Sequence, residues 1–74
     1  MKRLQLTALL EREGDGYTAL CPELDVASQE TTVEDATANL REAVELFLES
    51  ASHVEIESRY HPEIIVSQFE ASYA

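Results

Sequence analysis

Acidic side chains dominate the residues that could do chemistry. Fifteen Asp and Glu stand against five Lys and Arg in 74 residues, for a formal net charge of -10. Five of the acids, Glu11, Glu13, Asp15, Glu23 and Asp25, fall within fifteen positions around one glycine-containing turn. Two-metal nucleases hold cations between clustered carboxylates on strands. Here the acids sit beside turns rather than facing one another at a strand centre, so the spacing gives weak support to a metal-dependent nuclease. The remaining acids lie at the polar positions of helices and turns, where a solvated face is the ordinary role.

Other nucleophiles and ligands are sparse. Cys21 is the single cysteine and precedes Pro22 in an apolar stretch. No neighbouring base would lower its pKa, so a structural buried thiol fits better than a nucleophile. His53 and His61 are isolated, and with one cysteine they make neither a metal set nor a disulfide framework. A Ser-His-Asp spacing, a glycine-rich phosphate loop and a CxxC pair are all missing from the sequence. The expectation is a chain without catalytic residues, metal or cofactor. Direct nucleic-acid binding is disfavoured, because affinity for a phosphate backbone comes from Lys and Arg. The three Tyr and two Phe also lack the arginine companions of an RNA-stacking surface. An acidic surface suits a basic protein partner, although plain solubility accounts for the charge equally well.

The elements that must carry these residues are legible from periodicity. Leu4, Leu6, Ala8 and Leu10 alternate with Gln5, Thr7 and Leu9, a strand with one apolar face. Glu13-Gly14-Asp15-Gly16 is a tight turn whose glycines accept positive φ. Tyr17 to Cys21 returns with Tyr17, Ala19 and Cys21 on one side and Thr18 and Leu20 on the other, and Pro22 ends it. Leu24 to Gln29 reads as a third strand, with Ala27 and Ser28 small enough for close approach of another element.

Thr32 then caps a helix that has Glu34 and Asp35 in its first turn. Ala36, Leu40, Ala43, Val44, Phe47, Leu48 and Ala51 form its apolar stripe, and Leu46 strays from it. Asn39 reads as an exposed or backbone-bonded polar residue in mid-helix. Ser52-His53-Val54-Glu55 is a second capping box that opens a short helix to about Tyr60, with a strand over Val54 to Glu57 as the alternative. His61-Pro62 breaks the element, and Ile64, Ile65, Val66 and Phe69 form a final strand. The expected fold is α+β: a three-stranded antiparallel meander, a long helix, a short helix and a closing strand, with the helix on one sheet face.

Size bounds the rest. One domain over residues 1–74 is expected, and a chain this short buries only about 60% of its unfolded surface. Without disulfides or metal, self-association is the remaining way to stabilise it, so a homodimer or higher oligomer is expected. Either a sheet edge or the open sheet face could serve. Met1-Lys2-Arg3 leads into alternating rather than continuous apolar residues, which argues against a signal peptide. No stretch approaches the ~20 apolar residues of a membrane span, and the lone cysteine suits a reducing compartment, the cytoplasm.

The block from Gly14 onward resembles the HicB-like antitoxin family. The resemblance rests on Gly14-Asp15-Gly16-Tyr17, Ala19, Cys21-Pro22-Glu23-Leu24, Val26-Ala27-Ser28-Gln29, Thr32-Val33-Glu34-Asp35-Ala36 and Asn39-Leu40-Arg41-Glu42-Ala43, taken in order. Pro62 to Glu70 also looks like the closing strand of short members. The resemblance implies a partly degraded ribonuclease-H-like fold without the nuclease carboxylates. It further implies that the chain binds a small basic HicA-type toxin, an RNA-cleaving domain, and masks its catalytic histidine. Two loops depart from the family pattern: Asp25-Val26 replaces Pro-Gly, and Glu30 replaces a glycine. The helix-turn-helix or ribbon-helix-helix that many members carry at the C-terminus has no counterpart up to Ala74, so direct DNA binding is not expected. Partner contacts are expected at Glu13, Asp15, Glu23 and Asp25, with Tyr17 as an aromatic anchor. The alternative is an oligomeric interaction module of the same fold with no toxin partner.

Overall fold

The computed structural model describes residues 3–74; Met1 and Lys2, which entered the reading of the leader and of the 1–74 domain, lie outside that range. Three strands form an antiparallel meander in the order β1 (Leu9–Glu13), β2 (Gly16–Cys21), β3 (Val26–Glu30). Two helices follow, α1 (Val33–Ser50) and α2 (His53–Arg59). The α+β class and the helix lying on one sheet face are as the sequence predicts.

The β1–β2 hairpin is fixed by its glycines. Gly14 takes φ +60° in the two-residue turn, a region open to glycine at little cost. Gly16 is held for a different reason: a Cβ there would lie 2.7 Å from the Glu30 carbonyl oxygen on β3. The register pairs Leu10 with Ala19, and Tyr17 with Glu30. Residues of one parity, Leu10, Tyr17, Ala19 and Cys21, therefore face α1, while Leu9, Glu11, Glu13, Thr18 and Leu20 face away.

Both helices begin at their expected caps. The Thr32 hydroxyl accepts from the Asp35 amide at 3.0 Å, and the Ser52 hydroxyl from the Glu55 amide at 3.1 Å. The second cap decides against a strand over Val54 to Glu57. Ala36, Leu40 and Val44 of α1 close over Ala19, Cys21 and Leu24 to make the core. Fully burying a leucine such as Leu24 contributes about 1.5–3 kcal/mol. Ser28 lets the helix approach closely and donates its hydroxyl to the Ala36 carbonyl at 2.9 Å. Leu46 is exposed, as its stray position in the stripe predicts.

Three sequence expectations need correction. Strand β1 starts at Leu9 rather than Leu4: β2 ends at Cys21, so in this register residues 4–7 run past its end with no strand opposite among the described residues. Strand β3 starts at Val26 rather than Leu24: residues 22–25 turn, with the Asp25 amide donating to the Cys21 carbonyl at 2.8 Å. The final strand over Ile64 to Phe69 does not form, and residues 60–74 hold no regular structure. A strand exists through its ladder, and among the described residues no strand lies beside this segment.

Candidate functional site

The five residues expected to meet a partner do not form one cluster. Glu13, Asp15 and Tyr17 gather at the hairpin end of β2, whereas Glu23 and Asp25 lie in the turn at its other end. The two ends of β2, six residues and hence five steps of about 3.4 Å, lie about 17 Å apart. Proximity in sequence placed them together, but an intervening strand is extended and carries them apart.

At the hairpin end, Asp15 is exposed in the turn and Glu13 is exposed at the last position of β1. Glu13 accepts the Thr18 hydroxyl at 2.6 Å, a cross-strand bond that holds its carboxylate on the open sheet face. Tyr17 is half-buried, with its ring against the core and the Arg12 guanidinium 5.6 Å from the ring centroid. Glu30 joins this end through its pairing with Tyr17, and its carboxylate accepts from the Asn39 side chain at 2.8 Å. Asn39 is thus bonded to a side chain, not to backbone. The sequence reading missed Glu30 as a site residue, since only the β2–β3 register brings it to Gly16 and Tyr17.

At the other end, Glu23 is not a surface contact. It is 4% exposed, the one buried charged residue among the described residues. One carboxylate oxygen accepts the Thr7 amide at 3.0 Å, and the other accepts the Thr7 hydroxyl at 2.6 Å. The Cys21 thiol donates to it at 3.5 Å. Burial by itself would raise the Glu23 pKa, but the Thr7 hydroxyl and amide outweigh it and hold the carboxyl below its ordinary value. Burial, joined by the Glu23 charge, pushes the Cys21 thiol up, which suppresses the thiolate and suits a structural role. The backbone of Glu23 is engaged too, its carbonyl accepting from the His61 amide at 2.7 Å.

Asp25 is exposed but conformationally special, with φ 57° in the left-handed region. It occupies the loop where the resembled family carries Pro-Gly, and its short polar side chain tolerates that conformation better than most. Arg59 closes the turn from below, donating to the Leu24 carbonyl at 2.7 Å and the Asp25 carbonyl at 2.9 Å while lying 5.0 Å from the Phe47 ring centroid. Residues 22–25 therefore tie the N-terminal segment, α2 and the start of the tail together.

Chemically, the hairpin end offers exposed carboxylates and an aromatic edge, which can attract and seat a basic surface. Among the described residues no group of three or more His, Cys, Asp or Glu is placed to hold a metal ion. Among the same residues no helix is long and apolar enough to cross a membrane.

Fold and site together define a small acidic α+β domain with Glu13, Asp15 and Glu30 exposed at the hairpin end of its sheet. The chain is similar to UPF0150 protein ssr1765 of Synechocystis sp., at 52% identity over 46 residues. The match covers 60% of this chain and 58% of that protein, so the chain spans less than two thirds of the relative's length. No family model matches the chain. No solved structure matches it significantly.

Proposed function

We propose that this protein is an antitoxin-like inhibitor that binds a small basic HicA-type RNA-cleaving toxin and masks it, with no catalytic step of its own. The observation that carries the reading is the exposed acidic hairpin end, Glu13 and Asp15 with Glu30 beside them, on a chain of net charge -10. An RNA-cleaving protein must present a cationic surface to its substrate. Carboxylates held on a rigid hairpin complement that surface, speed encounter and compete with the phosphates. Tyr17, half-buried on the α1 side of the sheet and paired with Glu30, supplies an aromatic edge at the same end. The likeness to a UPF0150 protein, a small HicB-like type, supports the same class. Glu23 and Asp25 leave the contact set: the first is internal, and both belong to the turn at the far end.

The test is co-purification with the product of an adjacent small basic gene, together with RNA cleavage by that product alone and in complex. A stable complex that silences cleavage is expected. Glu13→Lys with Asp15→Lys should abolish neutralisation while circular dichroism stays native. Undiminished neutralisation by that variant would overturn the assignment of the surface. Failure of any complex to form, with an inactive or missing neighbour, would replace the inhibitor by an interaction module with another partner.

A further inference from the structure

The C-terminal segment leaves the body of the molecule as an uncovered apolar arm. Ile65 is 90% exposed, Phe69 88%, Tyr73 98% and Val66 60%. The chain measures 50 × 27 × 17 Å with a radius of gyration of 14.4 Å, against about 11 Å for a compact chain of this length. The difference reflects the projecting arm. Isolated exposed apolar residues are ordinary, but a β-branched and aromatic run of this kind calls for a cover.

The same chain carries a place that fits it. An open groove of about 900 Å³ runs between segment 3–8 and helix α1, with Leu4, Leu6, Leu40, Val44 and Leu48 among its apolar lining. Residues 4–8 have no ladder partner among the described residues, and their sequence, LQLTA, carries no charge. The adjoining edge of β1, LLERE, ends in three charged residues, which discourages strand addition there. An arriving strand would thus dock on 4–8, its backbone adding to the free edge and its apolar side chains filling the groove.

We infer that the arm of one copy occupies this groove in a second copy, giving a two-fold dimer with exchanged C-terminal strands. The hinge favours exchange over folding back. The His61 amide is fixed to the Glu23 carbonyl, and Thr7, beside the groove, is fixed to the Glu23 side chain, so the arm departs next to its own groove. Pro62 then holds φ near −65° and keeps His61 extended, so the chain continues outward and does not reverse. One two-fold axis close to this point lets each arm reach the other copy's groove, a self-complementary and closed arrangement. The area is sufficient. Phe69 and Tyr73 bury about 150–250 Å² each, so two arms with the surfaces that receive them pass the roughly 1,000 Å² that a specific interface needs. Against this stands the charge of -10 per copy, so the dimer should tighten as salt screens the repulsion.

The test is light scattering on the full chain across concentration and salt, followed by isotope-filtered NMR on a mixture of labelled and unlabelled copies. The expected result is a dimer with intermolecular contacts from the Phe69 ring to Leu6 and Val44. Ile65→Asp with Phe69→Asp, at positions exposed within one copy, should keep native circular dichroism and weaken dimerisation by at least about 100-fold. A monomer at all concentrations would overturn the inference. So would a dimer whose Phe69 contacts are intramolecular or which the double variant leaves intact, and so would an arm that gains order only with a basic protein added. None of these outcomes depends on whether a toxin is neutralised.

Discussion

Replacing Glu23 probes the least expected feature of this chain, a nearly buried carboxylate. It accepts two bonds from Thr7, at 3.0 Å from the amide and 2.6 Å from the hydroxyl. Hydrogen bonds to a charged group contribute about 1.5–3 kcal/mol each, and an orphaned buried donor costs about 1–3 kcal/mol. Removing the carboxylate also removes its own desolvation cost, so the terms do not simply add. Glu23→Ala should then lower unfolding stability by about 2–4 kcal/mol, a large part of the roughly 4–11 kcal/mol expected for a domain of this size. Thr7→Ala removes only the hydroxyl bond and should cost about 1–2 kcal/mol. Urea unfolding of both singles and the double variant, at one fixed chain concentration, gives the coupling. We expect it to be about 1–2 kcal/mol, and additivity within about 0.5 kcal/mol would refute the bond. The pH dependence has a definite sign. Because the folded pKa of Glu23 lies below its unfolded value, its contribution is complete above the unfolded carboxyl range and fades as pH falls through the folded value. The stability gap between the native chain and Glu23→Gln, which does not titrate, should therefore close in acid.

Gly16→Ala forces a Cβ to 2.7 Å from the Glu30 carbonyl, which must push β3 from β2 at the hairpin end. We expect a loss of about 1–3 kcal/mol in urea unfolding and faster amide exchange at Tyr17 and Glu30. Thr32→Ala removes the α1 cap and should cost about 1 kcal/mol, seen as a lower thermal midpoint with unchanged helix content at low temperature. Cys21 should react slowly with a thiol reagent at neutral pH and rapidly once urea unfolds the chain, because burial and the Glu23 charge hold its pKa up. Rapid reaction in the folded state would contradict the buried, hydrogen-bonded thiol.

Much of the architecture was written in local signals. The glycines of the turn, the alternation of β2, the caps at Thr32 and Ser52 and the α1 stripe each act over a few residues, and each gave its element at the right place. Leu40 and Val44 were legible as core because a 3.6-residue period puts them on one face. The two expectations at the chain ends failed for a common reason. Leu4 to Ala8 and Ile64 to Phe69 both carry strand patterns, but a strand needs a neighbour, and pattern alone does not say whether one is present.

Composition settled that the chain is strongly acidic and short of basic, metal-binding and nucleophilic residues. Only the tertiary structure decided which acids face outward. Glu23 reads like its neighbour Asp25, yet it is enclosed because Thr7, sixteen residues earlier, supplies an amide and a hydroxyl that replace its water. Glu30 reads like a helix-leading loop residue, yet the β2–β3 register sets it against Tyr17. Charge and periodicity are properties of short stretches and survive in the sequence. Burial of a carboxylate and register across strands depend on partners distant in the chain, so they exist only once the fold has formed.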